Sequence, residues 1–180
     1  ITDNGKSTLK FKNGQTIQGI EDIKINLTLL VTSLEAMSLE NKYDDIEIGS
    51  DFSGNLDVKL YSGQLKTRDI RGNMNLNLKY SKAAMLDLPG GSVELYDSNL
   101  EALNVSGALK VSSKYSEVKL GDVADELNLK TYDDNWKAGN VQGKLQLEDK
   151  YSTFEFQDIQ EAQLLIYDGN FVAGNCSRLA

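Results

Sequence analysis

Eight tyrosines recur along the chain at nearly even intervals. They are Tyr43, Tyr61, Tyr80, Tyr96, Tyr115, Tyr132, Tyr151 and Tyr167, and the gaps are 18, 19, 16, 19, 17, 19 and 16 residues. Spacing of this kind identifies an internal repeat, and a repeat of this length restricts the fold to stacked copies of one small unit.

A fixed apolar pattern follows each tyrosine. With the first large apolar residue as slot zero, slots two and five are usually apolar as well. The triplet reads Val118-Leu120-Val123 after Tyr115 and Trp136-Ala138-Val141 after Tyr132. It recurs as Leu29-Val31-Leu34, Leu65-Thr67-Ile70, Ala83-Met85-Leu88, Leu100-Ala102-Val105, Phe154-Phe156-Ile159 and Phe171-Ala173-Cys176. The copy at Ile46-Ile48 departs, because Asp51 stands in slot five and Phe52 comes one residue later. Slot four is occupied by Asp69, Asp87, Asn104, Asp122, Asn140, Asp158 and Asn175. Side chains of these types bond local backbone and tolerate unusual φ, so a tight turn is expected there. If copies stack, an Asn amide donates to the carboxylate of the adjacent coil and relieves like-charge repulsion.

A second short strand closes most modules: Leu56-x-Val58, Met74-x-Leu76, Val93-x-Leu95, Leu109-x-Val111, Leu127-x-Leu129, Leu145-x-Leu147 and Leu164-x-Ile166. Alternation with a period of two marks strands with one buried face. Because like residues return to like slots, the strands stack in parallel register rather than as hairpins. The expected architecture is all-β: a single-stranded, right-handed β-helix (β-solenoid) with coils of about 18 residues. The six-residue period of left-handed hexapeptide solenoids is absent. A coil of two modules, about 36 residues, is the alternative, because the turn after the tyrosine alternates in length.

The whole chain reads as one domain. Within residues 1–24, Ser7 to Phe11 and Ile17 to Ile23 are expected as strands around Asn13-Gly14, capping the N-terminal end of the stack. Residues 25–180 hold the repeats, with Ile25 in the tyrosine position of the first. Leu34 to Leu39 has some helical character, but its agreement with the repeat predicts strand. Pro89-Gly90-Gly91 predicts a tighter turn. The repeats stop at Ala180, partway through a module: either the last coil is open, a candidate edge for self-association, or the protein continues beyond it. A start at Ile1 rather than Met suggests a mature chain from which a signal peptide has been removed.

Composition limits the chemistry. A net charge of −8 disfavours a nucleic-acid surface, which needs basic patches. No apolar run is long enough for a transmembrane helix. There is no histidine, so histidine acid–base catalysis is excluded. Modules differ in length by too little to insert the walls of a catalytic cleft. Arg68 and Arg71 read as solvated surface residues. The acidic turns, including Asp44-Asp45 and Asp133-Asp134, lack the nonapeptide of calcium-binding solenoids and read as turn formers. The triplets at Asn26, Asn104 and Asn175 match a glycosylation acceptor incidentally. Cys176, the single cysteine, reads as a small core residue in slot five, and Trp136 as core in slot zero. No catalytic residue, cofactor or metal is nominated.

The tyrosines carry the sharper expectation. Lys42, Lys79, Lys114 and Lys150 directly precede Tyr43, Tyr80, Tyr115 and Tyr151. These eight residues predict an exposed aromatic and cationic stripe suited to a surface glycan or a protein. The competing reading makes the tyrosines stacked coil corners.

Repeats such as KYSEVKLGDVADELNLKTYDDNWKAGNVQGKLQL resemble the bacterial adhesin-like domains that include the GIN-domain β-helices of Bacteroidetes. The resemblance covers about residues 25–180, with Tyr-Ser or Tyr-Asp where GIN domains carry frequent Gly-x-Gly turns. It implies a right-handed β-helix exported to the periplasm or cell surface, with no catalytic residues to carry over. The expected function is therefore a non-enzymatic secreted or cell-envelope module for binding or structure. The alternatives are a carbohydrate-binding module or polysaccharide-active enzyme, and a spacer that assembles through its C-terminal edge.

Overall fold

A computed structural model describes residues 8–10, 16–18 and 35–179. All regular structure among them is β, and every strand pairing within residues 36–179 is parallel. The chain is a β-solenoid. Each coil contributes one strand to each of two stacks. The first stack runs Ala36–Lys42, Asn55–Tyr61, Met74–Lys79, Gly91–Tyr96, Leu109–Lys114, Leu127–Tyr132, Val141–Lys150 and the second half of Thr153–Tyr167. The second runs Ile46–Ile48, Gln64–Thr67, Lys82–Leu88, Asn99–Val105, Glu117–Val123, Asn135–Ala138, the first half of Thr153–Tyr167 and Asn170–Leu179.

Register settles the length of a coil. Along the first stack Lys42, Tyr61, Lys79, Tyr96, Lys114, Tyr132, Lys150 and Tyr167 are successive ladder partners. Neighbours in that series lie 17 to 19 residues apart. One module therefore makes one coil, and the 36-residue alternative falls. Slots zero and two point inward from the second stack. Slot five turns the corner, and Leu88, Val105, Val123, Val141 and Ile159 are buried there. Phe52 bridges Ile70, so the irregular copy fills slot five with the later residue. Each buried Leu or Ile contributes about 1.5–3 kcal/mol relative to exposure. Trp136 is fully buried between Val118 and Phe154 of the adjoining coils.

The slot-four ladder forms. Asn104 Nδ2 donates to Asp87 Oδ1 at 3.0 Å, Asn140 Nδ2 to Asp122 Oδ1 at 3.0 Å, and Asn175 Nδ2 to Asp158 Oδ1 at 3.0 Å. The expected unusual φ is not there: no slot-four residue has positive φ. These side chains bond the backbone of the next coil instead, as where Asn140 N–H donates to Asp122 Oδ1 at 2.8 Å. Asn104 and Asn175 are members of this ladder, while Asn26 lies outside the described residues. The turn at Pro89 is tight as expected. Gly90 and Gly91 have φ of 117° and 118°, and a Cβ on Gly91 would run into the Met74 carbonyl.

Cys176 corrects the sequence reading. It lies in register with Ile159, in the slot-five column, yet it is exposed. Slot five is buried only where another coil covers it, and no described coil follows Asn170–Leu179. Phe171 and Ala173 are half-buried for the same reason. At the other end, Thr8–Lys10 and Thr16–Gln18 pair antiparallel. The Asn13-Gly14 turn and the triplet at Leu29-Val31-Leu34 lie outside the described residues. Ala36–Lys42 is strand, as the repeat predicts. No helix among the described residues is long and apolar enough to cross a membrane.

Candidate functional site

The site is the corner between the end of each first-stack strand and the start of the next second-stack strand. One residue per coil has positive φ there: Tyr43, Ser62, Tyr80, Asp97, Tyr115, Asp133, Tyr151 and Asp168, between 48° and 69°. This left-handed conformation costs about 1–2 kcal/mol for a residue with a Cβ. The surrounding ladder enforces it. Tyr80 N–H donates to Tyr96 O at 3.0 Å, Asp97 N–H to Lys114 O at 2.9 Å, and Tyr115 N–H to Tyr132 O at 3.0 Å.

At Tyr80, Asp97, Tyr115, Asp133 and Tyr151 the left-handed residue is followed by a residue turned inward, where a bare amide would be buried. An internal polar ladder supplies the acceptors. Ser81 N–H donates to Ser98 Oγ at 3.1 Å, Ser98 N–H to Ser116 Oγ at 3.2 Å, Ser116 N–H to Asp134 Oδ1 at 2.7 Å, and Asp134 N–H to Ser152 Oγ at 3.0 Å. The serine hydroxyls in turn donate to strand-end carbonyls, as Ser116 Oγ does to Lys114 O at 2.8 Å. Asp134 also accepts from Ser113 Oγ at 2.6 Å. Burial raises the Asp134 carboxyl above its usual range despite those donors, and the nearby Asp149 carboxylate adds to the rise. Asp149, also buried, accepts from Thr131 Oγ1 at 2.7 Å and from Ser152 N–H at 3.2 Å. Both carboxylates are therefore committed to donors inside the coil.

Outside this ladder stand the tyrosines, in two columns rather than one. Tyr61, Tyr96, Tyr132 and Tyr167 end their strands, in ladder with Lys42, Lys79, Lys114 and Lys150. Tyr43, Tyr80, Tyr115 and Tyr151 stand one residue further on, in the left-handed column shared with Ser62, Asp97, Asp133 and Asp168. The rings zigzag between the columns and meet edge to face in an unbroken series from Tyr43 to Tyr167. Their centroids are 5.3 to 5.8 Å apart. With a coil rise of about 4.8 Å, the rib is about 34 Å long.

The zigzag puts lysines along one margin of the rib and Asp97, Asp133 and Asp168 along the other. Lys114 Nζ leans over the Tyr132 ring at 5.9 Å from its centroid. The Tyr80 phenol is raised above its ordinary pKa, first by loss of solvent among its neighbours, then by Tyr96, Tyr61 and the Asp97 carboxylate. Tyr115 is raised likewise, by desolvation, Tyr132, Tyr96 and Asp133. Both phenols stay protonated donors at neutral pH.

All eight nominated residues therefore belong to one surface: Tyr43, Tyr80, Tyr115 and Tyr151 with Lys42, Lys79, Lys114 and Lys150. The stacked-corner reading and the exposed-stripe reading describe the same rib, since six of the eight rings are exposed while touching one another. The other four tyrosines and the aspartate margin went unnominated. Their signal was the alternation of gaps, 18, 16, 17 and 16 against 19, 19 and 19. Moving each second tyrosine by one position lengthens one gap and shortens the next.

Other polar features do not converge. Arg71 faces Asp51 at 4.0 Å, both exposed. On the outer face of the second stack, Glu117 and Lys119 pair at 2.7 Å, which holds the carboxyl low and the ammonium high. Among the described residues no group of three His, Cys, Asp or Glu side chains is placed to hold a metal ion. No protein-family model, curated protein or solved structure compared with the chain matches it.

Proposed function

We propose that the chain is a non-enzymatic binding module of a secreted or cell-envelope protein, with the tyrosine rib as its contact surface. The rib itself is the observation that carries this reading. A solenoid buries apolar side chains between its stacks, yet here the rings are collected on one outer edge, with charges in fixed register beside them. Tyrosine offers contact area with a polar tip and few rotatable bonds, the combination enriched at recognition surfaces. The ladder holds the rib rigid before any partner arrives, which lowers the entropy cost of binding. Uniform coils support the reading further, because among the described residues no inserted loop walls off a reaction cleft. The resemblance to exported adhesin-like β-helices supports the envelope setting.

The test is binding of the parent and of Tyr115→Asn/Tyr151→Asn to a glycan array and to envelope extracts. Asn tolerates the left-handed conformation, and the column already accepts Ser62, Asp97 and Asp133. Loss of binding by tenfold or more, with melting temperature nearly unchanged, is the expected result. A parent that binds nothing, or variants that bind as well as the parent, would overturn it.

A further inference from the structure

We infer that the partner this rib fits is the rib of a second copy of the chain, the two solenoids pointing the same way about a two-fold axis parallel to their length. The inference rests on reading the rib as a contact surface and names what meets it.

The fit follows from the two columns. In one coil the pair across the rib is lysine and tyrosine, as in Lys114 and Tyr115. In the next it is tyrosine and aspartate, as in Tyr132 and Asp133. A two-fold axis along the rib keeps every coil at its own height and exchanges the two margins. Lys114 of each copy then faces the partner's Tyr115, an ammonium donor opposite a phenol oxygen. One coil on, Asp133 of each copy faces the partner's Tyr132, a carboxylate acceptor opposite a phenol hydroxyl. Lys79 repeats the first relationship and Asp97 the second. Whole margins match too, because each lysine row lies opposite an aspartate row.

The antiparallel arrangement lacks this property. It lays the lysine row against the lysine row and the aspartate row against the aspartate row, and like charges across an interface are strongly unfavourable. A sugar polymer fits less well. At each edge-to-face contact one ring's edge occupies a neighbour's face, which leaves less open face for a sugar ring to stack on. An anionic polymer would also lie along the aspartate margin.

The rib is about 34 Å long and two residues wide, well below the roughly 800 Å² per partner of a standard interface. A single pair is therefore weak and reversible, and many copies displayed on opposed surfaces gain by avidity. Isologous contacts of this kind make homodimers.

The experiment uses Cys176→Ser as background, to prevent disulfide exchange through the exposed thiol. Variant one carries Lys79→Glu, Lys114→Glu and Lys150→Glu. Variant two carries Asp97→Lys, Asp133→Lys and Asp168→Lys. In sedimentation velocity at low salt the parent dimerises with concentration, and each variant alone is monomeric. Their equimolar mixture forms a heterodimer at least tenfold tighter than the parent, lost in about 1 M salt. Failure of the mixture to associate overturns the inference. Lys114→Glu with Asp133→Lys is the milder pair, to be used if a triple variant fails to fold. Orientation is read by spin labels at Lys59→Cys or at Glu148→Cys on both partners. Short distances at both positions support parallel ribs, and long distances at both overturn that arrangement. If Tyr115→Asn/Tyr151→Asn abolishes binding in the array while the charge variants do not associate, the rib has another partner and only self-recognition fails.

Discussion

Tyr115 and Tyr132 meet edge to face, with ring centroids 5.6 Å apart and planes at 79°, although they occupy different columns of the coil. Eight rings in one column would be a strand spacing apart and driven towards parallel stacking, which aromatic quadrupoles disfavour. Moving every second ring by one residue opens the perpendicular arrangement. Seven such contacts contribute about 0.5–1.5 kcal/mol each. The four left-handed tyrosines cost about 1–2 kcal/mol each. The two sums nearly cancel, so the rib adds little net stability.

Trp136 packs against Phe154 at 6.5 Å, and its indole N–H is buried with no acceptor. Trp136→Ala is expected to cost about 3–5 kcal/mol by cavity formation. Trp136→Phe removes the unpaired donor along with part of the ring and is expected to cost much less. Urea unfolding of both variants measures the difference. Equal costs would contradict this account of the site.

Asp134 makes stability depend on pH in an unusual direction for a carboxylate. Its folded-state pKa is raised, so the folded chain holds the proton more tightly than the unfolded chain does. The group's contribution is therefore fully present below the unfolded carboxyl pKa and is lost as pH rises through the folded pKa. Asp134→Ser keeps an acceptor of the kind Ser116 and Ser152 supply. Unfolding free energies for parent and variant across the acidic range should show the parent losing ground as pH rises. A gain, or parallel curves, would count against a raised pKa.

Asn140 separates the carboxylates of Asp122 and Asp158. Its Nδ2 donates to Asp122, and its Oδ1 accepts from Asp158 N–H at 3.3 Å. Asn140→Asp places three carboxylates in a row. Because the ladder is exposed, the expected cost is only about 0.5–1 kcal/mol. It should shrink as salt is added, which thermal melts at two ionic strengths will show.

Cys176 is exposed although its column is core elsewhere. A thiol reagent should modify it in the native protein as fast as in denaturant. Val105→Cys, buried in the same column, should react only on unfolding.

Most of the fold was legible because it is periodic. Slots zero and two and the alternating second strand recur often enough that no single residue decides the phase. The Asn–Asp ladder was legible in kind, since residue type alone says which neighbour donates. Three features were obscured. Positive φ was expected at slot four, on residue preference, whereas ladder hydrogen bonds impose it on the tyrosine corner, four times on tyrosine itself. Cys176 was assigned by its column, but burial depends on having a coil on both sides. The aspartate margin was hidden because Asp97, Asp133 and Asp168 resemble ordinary turn residues until register sets them beside Tyr80, Tyr115 and Tyr151.

The zigzag of rings is the premise for everything proposed about the surface, and nuclear Overhauser contacts in a sample labelled only on tyrosine rings test it directly. The expected spectrum links Tyr96 to Tyr115 and Tyr115 to Tyr132 in one unbroken series, with no direct link between Tyr96 and Tyr132. Contacts that join Tyr96 to Tyr132 and bypass Tyr115, or rings with no contacts at all, would contradict it.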